Sequence, residues 1–211
     1  MSRPKVIVFD FDGVIMDSNE ISRLEFYKVF QSASDSAYKE VLCGNYHDEI
    51  EKLAIPKLIE TDSEREIRIA EYEKNKIDCV FFDGIPELVK ELHKKQYKLA
   101  LNTSTKENTC LPSLQKIDID KLFDFIGTKE VSKSKVEKFN IMKEKYGVTG
   151  EEMMFITDTV GDIREAKEAG VPTIAVTWGI HDREYFTMEK HDNLVAIVDS
   201  VEELREKILE C

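Results

Sequence analysis

Closely spaced cysteines are missing from this chain. Its four cysteines, Cys43, Cys79, Cys110 and Cys211, lie far apart and form no C-x-x-C unit. That argues against a zinc or disulfide framework and points to free thiols in a reducing compartment. No apolar run approaches the roughly 20 residues that a membrane helix needs. Positive charge is in deficit: 30 Lys and Arg against 42 Asp and Glu leave a formal net charge of −12. Nucleic acid and anionic membrane both require a cationic surface, so neither is expected as a partner. No secretion leader is expected, since Met1-Ser2-Arg3-Pro4-Lys5 runs straight into the first apolar stretch. Cys211 is the last residue and lacks the three positions that a prenylation box places after its cysteine. Asn102-Thr103-Ser104 fits the glycosylation sequon, but without a leader it is read as chance. Internal repeats and low-complexity stretches are also absent. Together these absences predict a cytoplasmic protein.

What is present suits a soluble globular chain. Its 211 residues, 42% hydrophobic and 34% charged, can bury a real core as one domain or as a domain with a modest insertion. The strongest local signal is Val6-Ile7-Val8-Phe9 followed by Asp10-Phe11-Asp12-Gly13. The apolar run reads as a strand buried on both faces, and carboxylates in such company are costly unless paired. In extended backbone Asp10 and Asp12 point the same way, with Phe9 and Phe11 opposite. Gly13 permits a tight turn with accessible amides. Two same-side carboxylates at the C-terminal end of a strand suit a hard cation, although an acidic turn would show the same letters.

Residues 18 to about 78 contain no convincing strand. They read as polar helices with narrow apolar stripes, the first starting at Asp17-Ser18-Asn19-Glu20 and the last behind a capping box at Ser63-Glu64-Arg65-Glu66, with 44–48 as an intervening loop. From Val80 onward strands and helices alternate. Strands are expected at 98–101, 123–126, 153–156, 173–176 and 194–198. Helices are expected near 85–92, 106–115, 136–146, 163–169 and after Ser200. The prediction is therefore an α/β fold, a Rossmann-like doubly wound parallel sheet formed by 1–16 and 81–211, with a helical insertion at 17–80.

Three more polar clusters follow predicted strands, on the edge where such sheets bind ligands: Asn102-Thr103-Ser104-Thr105, then Lys133 or Lys135, then Thr157-Asp158-Thr159-Val160-Gly161-Asp162. Each alone has a dull explanation in capping, solvation or turns. One shared edge with Asp10 and Asp12 is harder to explain that way.

The order Asp10-Phe11-Asp12-Gly13-Val14, Thr103, Lys135, Asp158-x-x-x-Asp162 resembles the haloacid dehalogenase superfamily, in particular its phosphoglycolate phosphatase and β-phosphoglucomutase branch. The likeness spans essentially the whole chain. It implies that Asp10 is the nucleophile towards phosphorus and that Asp12 is the general acid and then base. It further implies Mg²⁺ held by the Asp10 and Asp158 carboxylates and the Asp12 carbonyl, with Asp162 behind them. Phosphoryl oxygens would fall to Thr103, Ser104 and Lys135. The insertion would be a cap hinged near 16–18 and 80–84, with Asn45, Tyr46 and His47 in its specificity loop. Lys135 lacks the Pro-x-Pro that often follows this lysine in the branch, which leaves Lys133 as the alternative; Ser104 and Thr105 are alternatives to Thr103. The implied activity is a Mg²⁺-dependent phosphatase acting on a small phosphate ester. A phosphomutase is the runner-up, disfavoured because the loop has no arginine for a second phosphate. A non-catalytic phosphate-binding protein is the reading from outside enzymology. Trp178 is expected to pack, and His181 to border the site.

Overall fold

Alternate residues of the run at 6–9 face opposite ways, and the computed structural model shows where each set goes. Ile7 and Phe9 join Leu99, Leu101, Met154, Ile156, Ile174 and Val176 in one buried cluster. Val6 and Val8 join Ala100, Met153 and Phe155 in another, on the opposite face. Such two-sided burial is what a parallel sheet requires. Residues 3–210 are described; the Met1-Ser2 lead and Cys211 lie outside them.

The strands are β1 (Val6–Phe9), β2 (Lys98–Asn102), β3 (Phe125–Gly127), β4 (Met153–Thr157), β5 (Thr173–Val176) and β6 (Leu194–Val198). They form one sheet in the order β3-β2-β1-β4-β5-β6, every pair parallel. Helices α5 (Ile85–Lys94), α6 (Glu107–Gln115) and α10 (Val201–Glu210) cover the first face, and α7 (Lys135–Tyr146) and α8 (Val160–Glu168) the second. The short α9 (Arg183–Thr187) adds Phe186 to a smaller cluster with Ile163. This is the expected doubly wound α/β sheet. β1 is central, and the order reverses on either side of it, so its C-terminal end opens into the crevice where such sheets bind ligands.

Between β1 and α5 the chain forms α1 (Asn19–Val29), α2 (Asp35–Val41), α3 (Tyr46–Lys52) and α4 (Asp62–Ile77). Phe26, Phe30, Tyr38 and Val41 give these helices a small apolar centre of their own. The segment enters and leaves the sheet side by side: Met16 and Phe81 form an antiparallel bridge, the Asp17 amide donates to Val80 O (2.9 Å) and the Phe82 amide to Ile15 O (3.1 Å).

Several local expectations are corrected. Helix α4 begins at Asp62 behind a Thr61/Glu64 capping box, not at the Ser63 box, because Thr61 Oγ1 and Glu64 Oε2 reach each other's backbone amides (3.3 and 2.7 Å). Tyr46, His47 and Asp48 are the first turn of α3 rather than loop, since Asn45 caps it by accepting the His47 amide. Helix α1 is not capped by a side chain: Ser18 stands at its N-cap but sends its hydroxyl to Asp12. Strand β3 starts at Phe125, two residues late, because 120–122 form a 3₁₀ turn. Among the described residues Cys43, Cys79 and Cys110 are free thiols, and no helix is long and apolar enough to cross a membrane.

Candidate active site

The loops after β1, β2, β3 and β4 converge beneath α1–α4 on one cavity of about 400 Å³, lined by Asp10, Asp12, Ser104, Thr105, Lys135, Asp158 and Asp162 from the sheet edge. At its floor the Lys135 ammonium bridges Asp10 Oδ2 (2.8 Å) and Asp162 Oδ2 (2.5 Å), all three side chains being nearly inaccessible. Asp162 also accepts the Thr157 hydroxyl (2.6 Å), while Asp10 Oδ1 accepts the Phe11 amide (2.7 Å). Asp158 Oδ2 accepts the Ile180 amide (2.8 Å). Close approach is built in: a methyl group at Gly13, whose φ is +70°, or at Gly179 would overlap the Asp158 carboxylate. Glycine is therefore required at both positions.

Three carboxylates here share one ammonium, and their proton affinities reflect it. Burial raises Asp10 well above the usual carboxylate range; Lys135 opposes this, and the charges of Asp162 and Asp158 reinforce it. Burial likewise raises Asp158, to about 7. Asp162 is also pushed up by burial, but Lys135 and its hydrogen bonds outweigh that and leave it lowered. Clustered carboxylates that lean towards protonation are what a missing cation would relieve. No cage of three or more His, Cys, Asp or Glu side chains exists among the described residues. The set expected from the sequence has only two carboxylates and a carbonyl, and Mg²⁺ characteristically leaves its remaining positions to water and phosphate. The residues present therefore fit a Mg²⁺ ion.

Asp12 is in a different environment. Lys76, from the last turn of α4, reaches Asp12 Oδ1 at 2.7 Å. The Ser18 hydroxyl donates to the same oxygen (2.5 Å), and the Thr105 hydroxyl to Oδ2. Burial pushes Asp12 up, but Lys76 and the hydroxyls prevail and hold it below the usual carboxylate range. Lys76 also donates to Thr105 Oγ1 (2.7 Å), closing a network between the helical segment and the sheet edge. Sequence reasoning missed Lys76: a lysine near a helix C-terminus looks solvated, and only the folding-over of α4 buries it.

Of the alternative lysines, Lys135 stands in the cluster, whereas Lys133 offers its backbone carbonyl to Asn45 Nδ2 (3.4 Å). The expectation for Thr103 is corrected. Thr103 is fully buried, with Oγ1 accepting the Thr105 amide (3.0 Å) in a tight turn, so Ser104 and Thr105 line the cavity instead. Asn102 is buried and donates to Lys135 O (3.1 Å), a position no glycan could reach. Tyr46 and His47 line the cavity; Asn45 sits behind them, donating to Glu165 Oε1 (3.2 Å). His181 does not border the cavity. It is fully buried, Nδ1 accepting the Val160 amide (3.0 Å) and Nε2 meeting Lys39 O of α2 (3.0 Å). Trp178 packs as expected, its Nε1–H donating to Val14 O (3.4 Å).

The helical segment also presses on α8. The Gly161 amide donates to Leu42 O (2.9 Å) and Arg164 to Cys43 O (2.6 Å), and a Cβ at Gly161 would collide with Gly44 O.

A parallel α/β sheet with an aspartate pair after its first strand, a lysine at the third loop and two aspartates after the fourth defines a hydrolase of the haloacid dehalogenase type. The chain belongs to that family: the haloacid dehalogenase-like hydrolase model matches residues 7–176. It is 28% identical over 212 residues to Pyrophosphatase PpaX of Listeria innocua serovar 6a, covering 91% of this chain and 95% of that one. Among solved structures it is similar to a haloacid dehalogenase-like family hydrolase from Streptococcus pneumoniae (TM-score 0.74, 21% identity, 97% and 98% of the two chains). It is also similar to a predicted phosphatase from Clostridium acetobutylicum (TM-score 0.76, 22% identity, all of both chains). The protein is thus an enzyme of a hydrolase family, and relatives of its full length bear phosphatase names.

Proposed function

We propose that this protein is a Mg²⁺-dependent phosphatase that hydrolyses a small-molecule phosphate monoester through an aspartyl-phosphate intermediate. The observation that carries the reading is the meeting of Asp10 and Asp12 in one cavity under opposite electrostatic conditions, one beside further carboxylates and the other clamped by an ammonium and two hydroxyls. Divergent environments for paired acids mark divergent roles.

Asp10 attacks phosphorus as the bond to the ester oxygen breaks, and the leaving oxygen takes a proton from Asp12. Water then attacks the phosphoryl group on Asp10 and gives its proton to Asp12. The Asp10–phosphorus bond breaks and orthophosphate leaves. Mg²⁺, held by Asp10, Asp158 and the Asp12 carbonyl, would neutralise charge on the phosphoryl oxygens. Lys135 and Ser104 receive those oxygens as well, Thr103 fixing the turn that presents Ser104, and Asp162 orients Lys135. The clamp on Asp12 favours the base form used in the second step. Substrate that parts Asp12 from Lys76 raises its proton affinity, which links the acid form to occupancy. We read residues 17–80 as a cap that closes the cavity against water. The free thiols support a cytoplasmic location.

The test is phosphate release from a panel of phosphate esters with Mg²⁺, with EDTA and Asp10→Asn as controls. Release that needs both metal and Asp10 supports the reading; release surviving Asp10→Asn refutes the mechanism.

A further inference from the structure

We propose that Lys129 and His47 together receive a second anionic group of the substrate, a carboxylate or a second phosphoryl group; this rests on the phosphatase reading above and names the substrate class of that site.

Lys129 lies two residues beyond β3 and lines the same cavity as Asp10 and Asp12. Its amide donates to Thr105 O (3.0 Å), tying its loop to the one whose hydroxyl clamps Asp12. Among the described residues its ammonium makes no hydrogen bond and no ion pair. The neighbouring acids are already engaged: Glu73 accepts from Lys106 (2.6 Å) and Asn108 (3.0 Å), and Glu130 accepts the Glu107 amide (3.0 Å). Burial and the charges of Lys106 and Lys133 lower the pKa of Lys129, as expected for a cation placed among cations.

The second observation comes from the other wall. His47 reaches the cavity from the first turn of α3, and its Nε2 is buried with no hydrogen-bond partner among the described residues. A buried polar atom left unmet costs free energy that a ligand can recover. His47 and Lys129 line the same cavity, and burial and then the charges of Lys129 and Lys133 lower the His47 pKa. In a protein of net charge −12, Lys129 is a cation on the cavity wall beside Lys106, whose own charge is met by Glu73 (2.6 Å). An anionic group there meets the Lys129 ammonium and, with the His47 proton on Nε2, that nitrogen as well; because one residue follows a strand and the other is on the helical segment, it also ties the two together.

The experiment compares phosphoglycolate (second group a carboxylate) and pyrophosphate (second group a phosphoryl) with ethyl phosphate, which carries one anion. Wild type, Lys129→Met, Lys129→Arg and His47→Leu are assayed, and the quantity read is kcat/KM for each two-anion substrate divided by that for ethyl phosphate. Losing one charge-assisted contact lowers this ratio by roughly tenfold or more in Lys129→Met, through KM, with Arg restoring most of it. His47→Leu lowers it in the same arm, and the arm that falls identifies carboxylate or phosphoryl. A ratio unchanged in both variants and both arms overturns the proposal. Binding of the same compounds to the Asp10→Asn protein, with and without Lys129→Met, separates the two readings. If wild type hydrolyses no ester, the phosphatase reading fails. The anion site then stands on weaker binding in the double variant and falls on equal binding.

Discussion

Replacing Lys76 with methionine keeps the length and apolar stem of the side chain while removing the ammonium that sits 2.7 Å from Asp12. Truncating one partner of a buried ion pair typically costs about 3–5 kcal/mol. Asp12 keeps two hydroxyl donors, and its side chain is 29% exposed through the cavity, against 7% for Lys76. The loss expected at pH 7 is therefore nearer ~2–3 kcal/mol, which in a chain of this size lowers Tm by about 5–10 °C. The sign with pH follows from Asp12's lowered pKa. A carboxylate held down in the folded state contributes stability that is present above its unfolded pKa and is lost as pH falls through the folded one. The gap between wild type and Lys76→Met should accordingly be full at pH 7 and narrow in acid. In the same variant Asp12 takes up protons more readily, and because the first step uses its acid form, the basic limb of the kcat/KM profile moves to higher pH. Denaturant unfolding at pH 7 and at about pH 2.5, below the ordinary carboxylate value, with a pH–rate profile of phosphate release, measures both. Equal stabilities at pH 7 together with an unmoved basic limb would refute the clamp.

Gly161→Ala has a sign that depends on contact. An ordinary helix gains about 0.5–1 kcal/mol from this change, but here the methyl group meets Gly44 O, so a loss of about 1–3 kcal/mol is expected by thermal denaturation; a gain would mean that the 42–45 turn does not rest on α8 in solution. Lys138 is fully buried, donates to Thr103 O (2.7 Å) and is lowered by burial to about 8. Its charged form is disfavoured in the folded state, so wild type should gain about 2–3 kcal/mol relative to Lys138→Met as pH rises from 7 to 10, read from unfolding curves at the two pH values. Mg²⁺ at about 100 times its Kd should raise unfolding free energy by about 2.7 kcal/mol, and Asp158→Asn should abolish that rise in a thermal-shift titration.

Residues that announce themselves by standing out from an apolar strand were legible in the sequence. Asp10, Asp12, Asp158 and Asp162 follow buried β1 and β4, where a carboxylate needs a reason to be present, and the alternating faces of those strands made the sheet legible too. Lys76, Lys129 and Arg68 were not. Each sits on a polar helix or loop where a cation needs no explanation, and only tertiary closure removes it from water. Arg68 spans Glu25 and Glu60 within the helical segment, a pairing between residues 43 and 8 positions apart. Thr103 was misjudged because spacing identifies a turn without saying which hydroxyl faces outward. The start of α4 was misjudged because two Ser/Thr-to-Glu boxes overlap within six residues, and local sequence does not rank them.

The helical segment begins and ends at hydrogen-bonded neighbours, Met16 beside Phe81 and Asp17 beside Val80. The segment therefore leaves and rejoins the sheet at one place, and no strand is interrupted by it. Asp10, Lys135 and Asp158 stand at the sheet edge, while α1–α4 form a separate insertion that reaches back to it through Lys76. Because both ends of the stretch at 17–80 meet at one place on the sheet, a change in its length or sequence need not re-thread the strands.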